Sequence, residues 1–205
     1  MEVSMRLSAL SMLLVGTMSI GGCSNDTGFR PSLQQDQILP LATGNFWEFL
    51  RTGIDSSGTS IDSSSLMVTV GQPDTFGTEK AYPVSNFRLE FEDPGPLLRV
   101  NRTDGLYNVA VRPSPDPPSF IHVLTFPTVI GDSLPYSGYI IRTGSVNESV
   151  TVPAGSFTCI RYDILLNGIT VGQTYVVPNI GIVKSWQRYF GLLRQVDQLR
   201  SYHIL

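Results

Sequence analysis

The chain has 205 residues, a net charge of −3 and only 15% charged residues, with its positive side chains scattered singly and no basic patch to hold nucleic acid. Nineteen glycines and 14 prolines favour turn-rich β structure over helices. Two cysteines and two histidines, far apart in the chain, offer no metal-ligand spacing, so neither a metal nor a cofactor is expected.

In chain order, the first element is a leader. Arg6 precedes an uncharged, largely apolar run (7–20), and small residues follow up to Cys23. A positive start, an apolar core and a small-residue cleavage point form a secretory signal peptide, and the run is shorter than the roughly 20 residues of a membrane span. The sequence Ile20-Gly21-Gly22-Cys23 resembles the lipobox of bacterial lipoproteins. That resemblance implies removal of residues 1–22, a diacylglycerol on the Cys23 thiol and an acylated amine. One acyl chain binds a bilayer only marginally and two or three hold stably. Ser24 follows the cysteine, which by the same resemblance implies an outer-membrane destination facing the periplasm in a Gram-negative cell. Met5 is an alternative start, because it puts a free amine beside Arg6 without Glu2 between them.

Residues 23–36 are polar and aperiodic and read as a tether. From 37 to 205 strand signals recur, enough for one all-β domain with a sizeable core. Strands are predicted over 45–54, 65–71, 80–92, the pair flanking Asp104-Gly105, 120–126, 133–143, 148–152, 156–166, 169–177 and 181–190. Asp104-Gly105 and Asn167-Gly168 are hairpin signals. The last segment, 192–205, fits a helix by the spacing of Leu192, Val196 and Leu199, but Gly191 and the β-rich context favour a final strand. In 156–166, Ile160, Tyr162 and Ile164 alternate with Cys159, Arg161 and Asp163, which predicts one buried and one wetter face. The expected fold is an antiparallel, strongly curved sheet or partly open barrel made of two related halves, about 38–112 and 120–205.

The halves are visible as a repeat. Pro40, Gly44 and Asn45 match Pro127, Gly131 and Asp132 at a separation of 87, and 67–71 (MVTVG) matches 149–153 (SVTVP). Each half opens with P-x-x-x-G-[ND] before a strand, a turn whose Gly takes φ > 0 and whose Asn or Asp bonds nearby backbone. This accounts for Gly131-Asp132-Ser133-Leu134, which matches the G-D-S-L nucleophile signature of an esterase family. Those esterases are α/β proteins with a C-terminal D-x-x-H; here Asp197 and His203 lie six apart, and no βαβ pattern exists. Ser133 is therefore read as a turn residue, with an esterase as the remote alternative.

The motifs P-L-x-x-G-N-x-W (Pro40 to Trp47), T-V-P-A-G-S-F (Thr151 to Phe157) and Tyr175 to Lys184 together resemble a family of uncharacterised bacterial lipoproteins. The resemblance implies an all-β, curved or barrel-like sheet and no established activity. The chain departs from the pattern at Ser133-Leu134-Pro135, where an aromatic residue is usual.

Three further groups invite a functional reading. Glu90 and Glu92 share a strand face at a spacing that suits paired carboxylates, but Arg88 shares it too, so a solvated face is the expectation. With Cys23 acylated, Cys159 has no partner and reads as a small buried hydrophobe. The aromatics Phe46, Trp47, Phe49, Tyr136, Tyr139, Tyr175, Trp186, Tyr189 and Phe190 are either core or the lining of a groove for an acyl chain or carbohydrate. The resulting expectation is a non-enzymatic, membrane-anchored binding or interaction module of the cell envelope. Its partners would be the membrane through Cys23 and a hydrophobic ligand or an envelope protein. The alternative is a carrier of lipid or another hydrophobic ligand.

Overall fold

A computed structural model describes residues 36–86, 97–111, 117–188 and 194–205. Its thirteen strands are all antiparallel, and no helix occurs among the described residues. The first half contributes β1 (Phe46–Ile54), β2 (Ser60–Val70), β3 (Asp74–Phe76), β4 (Glu79–Ser85), β5 (Leu97–Arg102), β6 (Gly105–Ala110) and β7 (Ser119–Thr125). The second contributes β8 (Ser133–Tyr136), β9 (Tyr139–Val152), β10 (Gly155–Leu166), β11 (Ile169–Val177), β12 (Gly181–Arg188) and β13 (Arg194–His203).

The strand order is β7-β6-β5-β4-β2-β1-β13-β12-β11-β10-β9-β8, with β3 paired to β4 off this path. Each half is thus a six-stranded meander, with β7 joined to the first half although the boundary expected near 120 would assign it to the second, and the two meet where β1 pairs with β13 from Phe46↔His203 to Ile54↔Arg194. The other two edges, β7 and β8, lie side by side without a hydrogen-bonded ladder. The sheet is a nearly closed barrel with one unsealed seam.

The repeat predicted from the sequence is exact at the level of hydrogen bonds. Gly44 (φ 93°) donates to Val70 O, Val70 N to Asn45 O, and Asn45 N to Ala42 O. Gly131 (φ 96°) donates to Thr143 O, Thr143 N to Asp132 O, and Asp132 N to Val129 O. Both glycines hold the left-handed region that side chains with a Cβ resist. The side chains act as expected but by opposite chemistry. Asn45 Nδ2 donates to Pro40 O at 2.9 Å and its Oδ1 accepts from Leu205 N at 3.0 Å, whereas Asp132 Oδ2 accepts from Thr128 Oγ1 and Val129 N.

The match of 67–71 with 149–153 is looser. Val68, Val70, Val150 and Val152 are all buried at the ends of β2 and β9. But β2 bonds to its turn through Val70, whereas β9 bonds through Thr143 and then continues to Val152. The β9–β10 hairpin therefore extends past the sheet, and Ala154 N at its tip donates to Leu199 O of β13.

One residue at the seam lacks a donor that its counterpart in the closure has. Pro135 stands 87 positions after Glu48. The two-residue turn Ser137-Gly138 (φ 48° and 85°) makes Tyr136↔Tyr139 a hydrogen-bonded pair, so by alternation residue 135 points its backbone at the seam. In β1 the same alternation points Glu48 at β13, where it pairs with Ser201. Proline has no N–H to offer, and within sheets it is confined to edges. Side chains bridge the gap instead: Tyr162 Oη donates to Thr125 O at 2.7 Å, and Asn108 Nδ2 to Tyr136 Oη at 3.1 Å.

The interior is filled mainly at the end where β1 and β8 begin, the proximal end. Trp47, Phe49, Val68, Leu106, Tyr162 and Leu199 are buried there or just above it. Residues 36–41 cross this end as a plug, with Ile38, Leu39 and Leu41 buried. Asn179 holds the plug on one side, accepting from Gln37 N and donating to Gln37 O, and Asn101 Nδ2 holds it on the other through Leu39 O. Trp47 Nε1 donates to Ile180 O at 2.6 Å, so its buried indole is polar-satisfied as well as packed.

Three further expectations differ from the structure. Residues 133–143 are not one strand: Ser137-Gly138 breaks them, and the part after the break is continuous with 148–152 in β9. Between the strands expected over 65–71 and 80–92 lies a further one, β3, which folds onto β4 and helps cover Ala81, Val100 and Val109 in a second, smaller cluster with Phe76. The expected wetter face of β10 is largely buried, with Cys159 at 1% and Asp163 at 4% exposure. The last segment is the strand β13, as the β-rich context predicts.

Replacing Pro135 by Glu restores the missing donor. One backbone hydrogen bond contributes about 1 kcal/mol, roughly five-fold in exchange protection. Amide hydrogen exchange of β7 should slow by about that factor in Pro135→Glu; unchanged exchange would mean that the side-chain bridges, not the proline, hold the strands apart.

Candidate functional site

Ser133 opens β8 opposite Arg142, on the exposed outer surface. The residues a serine nucleophile would need are engaged elsewhere. His122 lies flat on Tyr107 with ring centroids 4.4 Å apart, and its Nε2 is 3.1 Å from Leu124 O. His203 stacks on Phe46 at 5.7 Å, and Asp197 receives both Nε and Nη2 of Arg51. Asp197 and His203 share a strand six residues apart, roughly 20 Å along β13. Asp132 is spent on the turn. A base must reach its nucleophile at about 2.6–3.2 Å, and among the described residues His122, His203, Asp197 and Asp132 are all engaged elsewhere.

The richest polar group is one that alternation alone did not predict. Arg142, Asp163, Gln173 and Trp186 are register partners across β9 to β12, so they share the outer face. Asp163 Oδ1 accepts from Gln173 Nε2 at 2.8 Å and stands 3.0 Å from Arg161 Nε. Gln173 Oε1 accepts from both Trp186 Nε1 at 2.6 Å and Tyr175 Oη at 2.9 Å. Arg161 also reaches Glu148 at 2.6 Å, and the Arg194 guanidinium lies 4.2 Å above the Trp186 ring. A Cβ at Gly144 would collide with the Asp163 carboxylate, so glycine there makes room for it. Burial, then the charge of Glu148, raises the Tyr175 phenol above its ordinary range, which keeps it a donor to Gln173. A hydrogen bond from Gln173 and the charges of Arg161 and Arg142 compensate the Asp163 carboxylate on this outer face, while Arg161 Nε is itself buried without a hydrogen bond. Arg161 and Asp163 in alternation with Ile160 and Tyr162 looked like a solvated face; the signal that could have corrected this was Gly144, a residue with no side chain in mid-strand.

A smaller group lies on the first half. Arg102 binds Glu79 through two nitrogens, 2.9 and 2.7 Å, and places its guanidinium 4.0 Å from the Phe120 ring and 4.8 Å from that of Tyr107. The hydrogen bond from Arg102 holds the Glu79 carboxyl below its usual range.

The predicted aromatic groove is not gathered in one place. Trp47, Phe49 and Tyr136 are buried inside, Phe46 is outside against His203, and Tyr175 and Trp186 flank Gln173 on the outer face. Tyr139 begins β9 beyond the Ser137-Gly138 turn. Tyr189, Phe190, Glu90, Glu92 and Cys23 lie outside the described residues. Inside the barrel, a cavity of about 30 Å³ is lined by Phe49, Arg51, Leu66, Val68, Asn86, Ile182, Ser185 and Asp197. That volume suits a water, whereas ligand pockets run to roughly 300 Å³ or more.

Cys159 is buried, and burial followed by the charge of Glu148 pushes its thiol up to about 11. It is protonated at neutral pH and has the inert character expected of a core cysteine. Among the described residues no group of three or more His, Cys, Asp or Glu could hold a metal ion, and no helix is long and apolar enough to cross a membrane.

No family model and no curated protein matches the chain. Two solved structures are similar to it. A candidate lipoprotein from Parabacteroides distasonis aligns with a TM-score of 0.43 and 17% identity, over 82% of this chain and 99% of its own. A candidate exported protein with a YmcC-like fold from Bacteroides fragilis aligns with a TM-score of 0.41 and 16% identity, over 82% and 99%. At these values the likeness carries no argument about what this chain does.

Two outcomes follow from the site geometry. Ser133→Ala should leave any ester turnover of the purified protein unaltered; a drop to background would restore the serine as a nucleophile. In the paired turns, Asn45→Asp places a buried carboxylate against Pro40 O and should cost about 1–3 kcal/mol or more in urea unfolding. Asp132→Asn keeps an acceptor for Thr128 and Val129 and should cost less. Equal losses would contradict the donor–acceptor assignment.

Proposed function

We propose that the chain is a lipid-anchored protein of the bacterial cell envelope that acts without catalysis, as a binding or interaction module. The observation that carries this reading is the order of elements in the sequence: a leader over 1–22, Cys23 at its end, a polar tether over 23–36, and a β domain over 37–205. The leader takes the chain out of the cytoplasm, and two or three acyl groups on Cys23 then hold it on a membrane. In a Gram-negative cell that membrane is the outer one, with the domain in the periplasm.

Among the described residues both histidines and Asp197 are engaged away from Ser133, which supports a non-catalytic role, as does the engagement of Asp163 by Gln173 and Arg161. A carrier role draws less support, because the described aromatics are divided between inside and outside. Cys23→Ser should leave an unprocessed or soluble protein, while the wild-type N-terminal peptide gains the mass of its acyl groups. A free Cys23 thiol in the membrane fraction would reject the anchor. Native mass spectrometry of residues 25–205, purified without detergent, separates the two ligand readings. A clean mass fits the interaction module, and a heterogeneous excess matching phospholipid or fatty acid would favour the carrier.

A further inference from the structure

The two P-x-x-x-G-[ND] turns share their hydrogen bonds but not their surface. In the first, the residues before Gly44 are Ala42 and Thr43; in the second, before Gly131, they are Val129 and Ile130, each 65% exposed. The turn therefore does not need large apolar side chains, and in the second copy it carries two adjacent ones into solvent. Beside the first turn stands Leu205, which is 77% exposed, with its Cδ1 near Gly44 and its N–H on Asn45 Oδ1. Both turns precede the first strand of their half, so both lie at the proximal end of the barrel.

The chain also enters at this end. Asp36 Oδ1 accepts from Asn179 Nδ2 and Gln37 bonds the same asparagine, so the tether from Cys23 leaves the fold at the proximal end. Fully extended, residues 23–36 reach roughly 45 Å. The exposed charges of this end are of both signs, Asp74 and Asp104 with Lys80 and, opposite Ser133, Arg142, so no single-sign patch draws it to an anionic surface and its contact with lipid is an apolar one. At the opposite end Ile61 and Ile169 are exposed singly, on separate hairpins.

On the anchored reading above, we infer that the proximal end faces the bilayer and that Val129 and Ile130 insert into its interface, a second contact that orients the domain on its tether. The partner is a zwitterionic lipid surface. Two adjacent apolar side chains on a turn present themselves to the boundary between headgroups and acyl chains, the layer in which the apolar face of an interfacial helix sits.

The test uses the full, acylated protein in phosphatidylcholine vesicles, with an environment-sensitive fluorophore on Ile130→Cys or, as the control, on Ile169→Cys. Cys159 is buried with a raised thiol and stays unlabelled. The expected result is a blue-shifted label at 130 that is quenched by spin-labelled lipids, and a label at 169 that stays solvent-like. Solvent-like emission at both positions on vesicle-bound protein would overturn the insertion while leaving the anchor intact. Failure of the acylated mass to appear, or of the protein to bind vesicles, would instead strike the anchor. A blue shift at 130 that appears only with envelope extract, and is not quenched by spin-labelled lipid, would assign the turn to a protein partner and overturn the proposal. Hydrogen exchange of 126–132 in the unlabelled protein, slower on vesicles than in detergent, provides a check independent of the label.

Discussion

The ladder between β1 and β13 is the constraint from which the rest of the fold follows. It joins the first strand of the first half to the last of the second, across most of the chain. Without it the halves would be two open meanders, each exposing an edge and an apolar face. With it, the sheet curves until β7 meets β8, and the interior becomes one space that Trp47, Tyr162, Leu199 and their neighbours fill. A bulge between Glu48 and Phe49 lies within the ladder, and beside it the Leu199 carbonyl is taken by Ala154 from the long β9–β10 hairpin. The strand pairing and the packing of the proximal end are therefore one structure.

The two halves show how a duplicated plan is broken for a purpose. Their turns are superimposable in hydrogen bonding, yet Asn45 works as donor and acceptor while Asp132 works only as acceptor. Pro135 takes the place of Glu48 and withdraws an N–H from the edge that would otherwise pair. Edge strands are liabilities, and a proline on a short strand is one of the known defences. The bridges from Tyr162 and Asn108 hold the seam from inside while the backbone stays unpaired.

The polar clusters follow a different logic from the core. Around Asp163 the carboxylate is held by Gln173 and Arg161, and Gln173 in turn by Tyr175 and Trp186, although Arg161 Nε is buried without a hydrogen bond. Such a cluster stiffens the outer face of β9 to β12. It also shows why carboxylates, arginines and aromatics in proximity are weak evidence for catalysis: what distinguishes a site is an unsatisfied group facing space.

Much was legible in the residues themselves, and the reason is local physics. Glycines with positive φ, side chains that bond their own turn, two-residue hairpins and apolar alternation act over a few residues, so the all-β class, the repeat and the turn identity of Gly131-Asp132 could be read directly. Ser137-Gly138 is equally local and was readable, but the strand signals on either side obscured it. What only the tertiary structure decided is non-local: that β1 pairs with β13 and β7 does not pair with β8, that the aromatics divide between inside and outside, and that the polar face of β10 is covered. Alternation assigns residues to faces of a strand. It does not say which edges meet or what lies across a face, because those depend on the curvature of a sheet whose partners are distant in the chain.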